Sequence, residues 1–410
     1  MESKSSSLPG TGGPDQSSPR ITSLDSIRGI AALTVVLGHA YLVFPERVRS
    51  QVDWTLHAWA TPWPWLKLTP LRLLTQGPAA VILFFCLSGL VLAMPFMRHE
   101  QPRYGRFLIK RFCRIYVPFA AAIAIAAALY AVVRPTSLPA LSNWFNAENW
   151  AHPLTGATIM RHLAMTGFKI DRDLDDPIWS LVHEMRISII FPWLILMVFR
   201  FGALRSMVAA FVLHVACLVA LTHFSEDTSI GTALATGKYL VFFFAGISIA
   251  MHRELCQAWV WRQSNRARTA LWICSFAFML FPAGSELAPL AYGIGAVGVI
   301  VLSLASPGAE RVLSMRPSVW LGRISYSLYL FHVVILMAAV HLLFDHVALP
   351  IIIVGSIATS VIVATLAHRA IELPAMALGR RLAGQNPEGQ LRRNAVWPST
   401  LSMEAATGGK

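Results

Sequence analysis

Charged residues are scarce in this chain of 410 amino acids. Asp, Glu, Lys and Arg together account for 13% of it, hydrophobic residues reach 55%, and the mean hydropathy is +0.56. Soluble domains carry about 25% charged residues. This shortage excludes an ordinary soluble protein, and the long apolar stretches favour an all-α polytopic membrane protein.

Acidic residues are scarcer than basic ones. The chain has 21 Asp and Glu against 34 Lys and Arg, for a formal net charge of +13. An excess of cations can indicate nucleic-acid binding, but these cations fall in short loops between apolar segments and form no basic domain. We therefore expect no nucleic-acid partner and interpret the charge as a membrane-topology signal.

Cysteine is also rare, with five residues in the chain. No two of them form a CxxC pair, none joins histidines at the spacing of a metal site, and none falls in a predicted outer loop. We therefore expect neither a disulfide nor a metal site.

The apolar segments predict about ten transmembrane helices. They lie at about 26–44, 78–97, 115–133, 178–198, 206–223, 232–251, 269–283, 287–305, 324–344 and 349–368.

The distribution of Lys and Arg predicts that both termini are cytosolic. With the N-terminus inside, the loops on the inner side hold most of the cations, whereas the three later outer loops hold none. We predict a disordered cytosolic tail at 1–23, a transmembrane domain at 24–370 and a polar, basic cytosolic tail at 371–410. The first apolar segment is expected to serve as an uncleaved signal anchor.

Two ionisable residues mark the first span. Arg28 and His39 are eleven residues apart, which places them on one helical face with a rise of about 16 Å. Arg28 is then near the membrane surface and His39 is well inside. A histidine at that depth is a functional candidate, although a hydrogen bond to a neighbouring helix is the alternative.

The fourth and ninth spans carry further ionisable residues. Glu184 is predicted in the outer half of the membrane, at the depth of His39, where it must line a cavity or pair with an arginine. In the ninth span Ser325, Tyr329 and His332 share one face, and His332 lies at a depth compatible with meeting His39. Lys238 in the sixth span is a further buried charge without an assigned role.

Arg111 and Arg114 are neighbours on one helical face at the inner surface. They can anchor the helix to anionic lipid, or bind the phosphates of a ligand through their guanidinium forks. Ser88, followed by Gly89 in an apolar span, is compatible with close helix packing or with a hydrogen bond to a substrate.

Two long outer loops, about 45–77 and 134–177, are rich in tryptophan and in part acidic. Tryptophan is common at membrane interfaces, and a platform for stacking a sugar acceptor is the functional alternative. The residues concerned are Trp54, Trp59, Trp63, Trp65, Trp144 and Trp150, with Asp171, Asp173, Asp175 and Asp176.

Taken in order, these motifs resemble the acyltransferase-3 family of integral membrane O-acyltransferases. The matching features are Arg28 ten residues before His39, Phe-Phe-x-Leu-Ser-Gly at 84–89, Arg111-x-x-Arg114-Ile, Trp-Ser-Leu-x-x-Glu at 179–184 and Ser-Tyr-Ser-x-Tyr-Leu-x-His at 325–332. Each motif alone is weak evidence for the family, but five motifs in the same order across most of the chain are specific evidence for it.

The resemblance implies transfer of an acyl group, acetyl in the first place, from cytosolic acyl-CoA to a hydroxyl of a cell-surface polysaccharide or lipid-linked glycan. The implied location is the bacterial inner membrane. Acyl-CoA is a co-substrate, no cofactor is expected to stay bound, and we expect no fused extracytoplasmic hydrolase-like domain. Direct transfer is the default, since no activated nucleophile is evident, and a covalent relay through His39 or Ser88 is the alternative.

By position, the resemblance implies a role for each motif residue. His39 is the candidate base, Glu184 orients it or deprotonates the acceptor, and Arg28 assists catalysis by helping to hold the CoA. Trp179 is the candidate acceptor-binding residue. The acyl-CoA is expected to contact Arg111, Arg114, Ser88, Tyr326 and His332.

Three alternatives remain at this stage. The acceptor can be a macrolide or another secondary metabolite. A proton-coupled transporter also places His and Glu inside the membrane, but the chain shows none of the internal repeats common in transporters. A structural scaffold leaves His39, Glu184 and His332 without a role.

Overall fold

The architecture was analysed in a computed structural model, which describes residues 22–46, 61–97, 103–165, 172–226 and 228–384. Within those ranges the secondary structure is helical, without a β-strand. The predicted N-terminal tail up to residue 21, Trp54, Trp59 and Asp171 lie outside the described residues, as does most of the C-terminal tail.

The helices are numbered here in chain order. A 3₁₀ helix at Pro70–Thr75 precedes α3, and a π-helix at His368–Glu372 joins the last two helices. The α-helices are α1 Thr22–Leu42, α2 Pro62–Leu68, α3 Gly77–Ala93, α4 Tyr104–Val133, α5 Asn143–Ala147, α6 Gly156–Leu163, α7 Ile178–Phe201, α8 Ala203–Leu221, α9 Ser229–Met251, α10 Arg253–Arg262, α11 Asn265–Met279, α12 Ala288–Ala305, α13 Pro307–Leu313, α14 Arg316–Leu343, α15 Leu349–Ala367 and α16 Leu373–Leu382.

Each predicted span coincides with one of these helices, and the all-α polytopic fold is confirmed. In the described ranges seven helices are long and apolar enough to cross a membrane, namely α4, α7, α8, α9, α12, α14 and α15 with its continuation. At 17 and 15 residues, α3 and α11 are shorter than the roughly 20 residues that a bilayer requires. The total of ten crossings therefore stays a prediction.

Helix α14 forms the centre of the bundle, and glycine lets α1 cross it closely. A Cβ atom on Gly29 would meet the backbone of Leu321 and Gly322, and one on Gly322 would meet the backbone of Asp25 and Ser26. Small residues permit such backbone contact between membrane helices. This crossing fixes the height of α1 against α14, and with it the heights of Arg28 and His39.

A second close crossing joins α3 to α9. A Cβ atom on Gly89 would meet the backbone of Phe243, and one on Gly246 would meet the backbone of Cys86 and Leu90. Packing is therefore the direct role of Gly89. The neighbouring Ser88 is left to face the interior of the bundle.

The structure differs from the sequence interpretation at the C-terminal boundary. The helical path continues through the π-helix into α16, where Ala375 and Gly379 are buried. Gly379 lies against Lys110 and Cys113 of α4. The segment predicted as a polar tail from residue 371 thus begins as a packed helix, because small residues on one face of α16 fit against α4.

Candidate active site

The N-terminus of α7 is held against the centre of α14. The hydroxyl groups of Ser180 and Tyr329 lie 2.7 Å apart, and Tyr329 also donates to the carbonyl oxygen of Pro177 at 3.1 Å. These bonds bring the residues just before α7 into the bundle rather than leaving them in a surface loop. Asp176, 6% exposed, is placed there as a result.

A cluster of four side chains, called here the histidine cluster, forms where α1, α14 and the start of α7 meet. His39 Nδ1 is 2.9 Å from His332 Nε2, and His39 Nε2 is 3.5 Å from Asp176 Oδ2. Trp144 stacks on the imidazole of His39 with ring centroids 5.3 Å apart, and its indole N–H donates to Asp176 Oδ2 at 3.3 Å. His39 and His332 thus meet, which is compatible with the common depth expected for them from the sequence.

Three members of the histidine cluster, His39, Trp144 and Asp176, form part of the wall of a cavity of about 920 Å³. Trp144, Trp179, Tyr239 and Tyr329 supply aromatic surface, and Asp176 and His39 supply polar groups. The volume lies within the range of small-molecule sites, which is about 300–1,000 Å³. The cavity can therefore admit a sugar-sized molecule to the imidazole of His39.

A second group, called here the basic cluster, comprises Arg28, Arg111, Arg114, Glu184 and Ser88. Arg111 Nη2 is 2.7 Å from Glu184 Oε1, and Ser88 donates to the same carboxylate oxygen at 3.0 Å. Arg28 and Arg114 are close enough to interact electrostatically with one another and with Arg111.

Cations outnumber carboxylates in the basic cluster. Arg28 and Arg111 interact with Glu184, and Arg28 interacts more weakly with Asp25 at the start of α1. One positive charge is therefore left without a matching carboxylate among these residues. Since an isolated charge is costly at such a site, the cluster is suited to an anionic ligand.

Glu184 does not lie at the depth of His39, in contrast to the sequence interpretation. It follows Asp176 by eight residues, about 12 Å along a helix, and it bonds Arg111 and Ser88. The carboxylate beside His39 is that of Asp176. The error arose because the start of α7 dips into the bundle, which moves every later residue of that helix closer to Arg111.

A narrow gap with both polar and apolar walls lies between the two clusters. A cavity of about 30 Å³ is lined by Arg28, Ser88 and Glu184 at one end and by Ser180 and Tyr329 at the other. This is room for one or two water molecules. Tyr329 also lines the large cavity, so the two spaces are separated by little more than its side chain.

The other motif residues occupy the same region. Tyr326 lines the narrow gap, and its hydroxyl donates to the carbonyl oxygen of Ile115 at 2.7 Å. Lys238 lines the large cavity and pairs with Glu226 at 2.6 Å. Trp150, by contrast, is buried against His341 and has a packing role.

Asp175 and Asp176 have opposite electrostatic surroundings. Burial and the neighbouring Asp176 carboxylate raise the pKa of Asp175 well above its usual range. Burial also raises the pKa of Asp176, but the contact with His39 in its protonated form, together with Arg172 and the indole N–H of Trp144, outweighs it and lowers that pKa below the ordinary value. Asp176 is therefore ionised at neutral pH, whereas the Asp175 carboxyl favours its protonated form.

Sequence reasoning assigned no individual role to Asp176. It was grouped with the acidic residues of a loop, and the contact that matters joins it to a residue 137 positions earlier. Its place directly before Pro177 and the Trp179 motif was the one available signal.

Comparison with known proteins gives one match. The model of a family described as an acyltransferase domain matches residues 21–369. No curated protein and no solved structure shows significant similarity to the chain. The matched range contains all the residues of the histidine and basic clusters.

Proposed function

The chain belongs to this acyltransferase family, and we propose that it moves an acyl group, acetyl in the first place, from cytosolic acyl-CoA to a hydroxyl of a cell-surface polysaccharide or lipid-linked glycan. The proposed location is the inner membrane of a bacterium. The observation that carries the proposal is the position of His39, whose imidazole lines a cavity of about 920 Å³ while the basic cluster lies behind it.

The basic cluster is the proposed site for the phosphates of CoA. Arg28 and Arg114 offer forked donors that match phosphate oxygens. Arg111 adds its charge and Nη1, since its Nε and Nη2 already donate to Ser188 and Glu184. Glu184 holds Arg111 at 2.7 Å and fixes the direction of its guanidinium. The proposed path of the pantetheine arm passes beside Ser88 and Tyr326, where the gap of about 30 Å³ must widen to admit it, so that the thioester reaches His39.

The large cavity is the proposed acceptor site. Trp144 and Trp179 present ring surface of the kind on which sugars stack, next to the polar groups of His39 and Asp176. On this proposal the cavity opens toward the extracytoplasmic side and the basic cluster toward the cytosol, in agreement with the distribution of Lys and Arg in the loops.

The proposed reaction is a direct transfer. His39 Nε2 takes the proton of the acceptor hydroxyl, whose oxygen attacks the thioester carbonyl. The carbon–sulfur bond breaks, the thiolate of CoA leaves, and the proton on His39 passes to it. An ester of the acceptor and free CoA are the products.

Acyl transfer by the purified protein tests this proposal. Radiolabelled acetyl-CoA is supplied with a panel of cell-envelope glycans, and wild type is compared with His39→Ala. The matched control is His152→Ala, since His152 is 68% exposed and pairs with Asp173 away from the cavity.

The expected result is label on a glycan with wild type and the control variant, and loss of that label with His39→Ala. Thioester turnover without a labelled glycan would contradict the assigned acceptor class and point to another acceptor, such as a macrolide. Absence of turnover with every donor length would contradict the proposal and favour a transporter.

A further inference from the structure

The bonds around His332 define which of its nitrogens carries hydrogen. Its Nδ1 lies 2.9 Å from the carbonyl oxygen of Tyr329 and 3.1 Å from that of Leu328. Both are acceptors only, so Nδ1 must be the protonated nitrogen. His332 is 1% exposed, and the neutral ring therefore presents a bare Nε2.

The same reasoning extends to His39. Its Nδ1 is 2.9 Å from the bare Nε2 of His332, so Nδ1 must donate the hydrogen of this bond. The Nε2 of a neutral His39 is then without hydrogen, and it faces Asp176 and the large cavity. That nitrogen is the one a base requires to accept a proton from a hydroxyl.

Asp176 lies on the other side of the His39 imidazole from His332. At 3.5 Å its Oδ2 is beyond ordinary hydrogen-bond distance of His39 Nε2, so the lone pair stays available to a substrate. Once His39 Nε2 has taken a proton, Asp176 Oδ2 faces the positively charged imidazolium of His39. The Trp144 indole holds Oδ2 in this position.

We infer that His332 and Asp176 are positioning residues for His39: His332 fixes the tautomer that leaves Nε2 free, and Asp176 stabilises the imidazolium formed when the hydroxyl proton is taken. This inference rests on the proposed function. It assigns to His332, beyond lining the acyl path, the orienting role that the sequence interpretation considered for Glu184, and it adds a charge-stabilising role for Asp176.

The other charged groups around His39 are accounted for. On the α7 side, Arg172 Nη1 lies 3.7 Å from Asp176 Oδ1 and leaves Oδ2 to His39, while Asp175 favours its neutral form. Lys238 also lines the cavity and is paired with Glu226. The other charged residues that line the cavity are Arg72 from the 3₁₀ helix, Glu46, Lys67 and Glu286. On α1 itself Arg28 is about 16 Å from His39.

The kinetic test compares Asp176→Asn with Asp175→Asn. Both exchange a carboxyl for an amide of the same shape at adjacent positions, but only Asp176 carries a charge at neutral pH. We expect Asp176→Asn to lower kcat about 100-fold, the lower end of what a proton-transfer group contributes. The KM for acyl-CoA should stay within about twofold in both variants, because the lost interaction forms only as the proton moves.

The Asp175→Asn variant should keep kcat within about threefold of wild type, since it removes no charge. Equal kcat in the two variants would overturn the role of Asp176. A thermal unfolding curve for each variant identifies loss of folded protein. If Asp176→Asn alone unfolds, Asp176→Glu serves in its place and is expected to recover part of kcat, whereas no recovery would contradict the role.

A second measurement does not require activity. ¹⁵N NMR of histidine-labelled protein distinguishes the two neutral tautomers of His39, and the His39→Gln variant assigns its signals. We expect hydrogen on Nδ1 in wild type and in His332→Gln, whose amide oxygen can accept the bond, and a mixture in His332→Leu.

The two measurements separate failure of the inference from failure of the proposed function. Absence of acyl transfer by wild type, with the Nδ1–H tautomer present, would contradict the function while supporting the arrangement of the histidines. Acyl transfer by wild type with the opposite tautomer would overturn the inference alone.

Discussion

The ion pair between Arg111 and Glu184 distinguishes a structural role of Glu184 from a catalytic one. The pair is 2.7 Å long, and its side chains are 13% and 16% exposed. The Glu184→Gln variant keeps an acceptor for Arg111 and Ser88 but leaves the guanidinium charge uncompensated. An ion pair at about 4 Å is worth about 4 kcal/mol at an effective dielectric of about 20.

We therefore expect Glu184→Gln to lower the free energy of unfolding by about 3 kcal/mol, at the low end of the range for breaking a buried pair. Combining it with Arg111→Gln removes both charges and should recover most of that loss. The KM for acyl-CoA should rise in the double variant, because a phosphate-binding cation is gone. Thermal unfolding in micelles and initial rates at varied acyl-CoA concentration measure the two effects.

The matched control is Glu226→Gln, which breaks the ion pair with Lys238. Glu226 is 48% exposed, so this change should alter the free energy of unfolding by at most about 1 kcal/mol. Wild-type stability of Glu184→Gln, together with a loss of kcat at unchanged KM, would refute the reasoning and show that Glu184 takes part in proton transfer.

Three further predictions address packing, pH and sidedness. Gly89→Ala should lower the unfolding temperature by several degrees, because its Cβ would meet the backbone of Phe243. Gly355→Ala is the control, since a Cβ atom there has no neighbour within 4 Å and should leave the unfolding temperature unchanged. Equal unfolding temperatures for the two variants would contradict the close crossing of α3 and α9. Asp175 keeps its proton when folded but loses it when unfolded above a pH of about 4, so wild-type stability should fall as pH rises from that value. The Asp175→Asn variant should lack that fall. If wild type and this variant gave parallel curves of unfolding temperature against pH, the result would contradict a raised pKa for Asp175. In a cysteine-free background, a cysteine replacing Leu66 at the large cavity should react with an impermeant maleimide from outside the cell; labelling from the cytosolic side alone would reverse the proposed orientation.

The helices and the meeting of two histidines were accessible from the sequence. Apolar length gave the position of each span, and the distance of His39 and His332 from their helix ends gave a common depth. Counting residues from the start of a helix gives the depth of a side chain only when that helix starts at the membrane surface, as the estimate assumed for α1 and α14.

The position of Glu184 was not accessible, because α7 does not start at such a surface. Its first turn is held inside the bundle by Tyr329 and Ser180, a contact between residues 149 positions apart. The same contact buries Asp176 beside His39. The packed helix α16 was missed because its ten residues open a segment that is polar and basic further on. The burial of Ala375 and the fit of Gly379 against α4 show that it docks.

The account places donor and acceptor on opposite faces of one membrane domain, with His39 between them. The most direct test uses proteoliposomes of a single orientation, with acetyl-CoA enclosed on the side of the basic cluster and a glycan acceptor supplied on the side of the large cavity. The account predicts acylated acceptor on the cavity side in this arrangement, and none when the two substrates are exchanged. Product in the exchanged arrangement, or only when both substrates are on the side of the basic cluster, would contradict it.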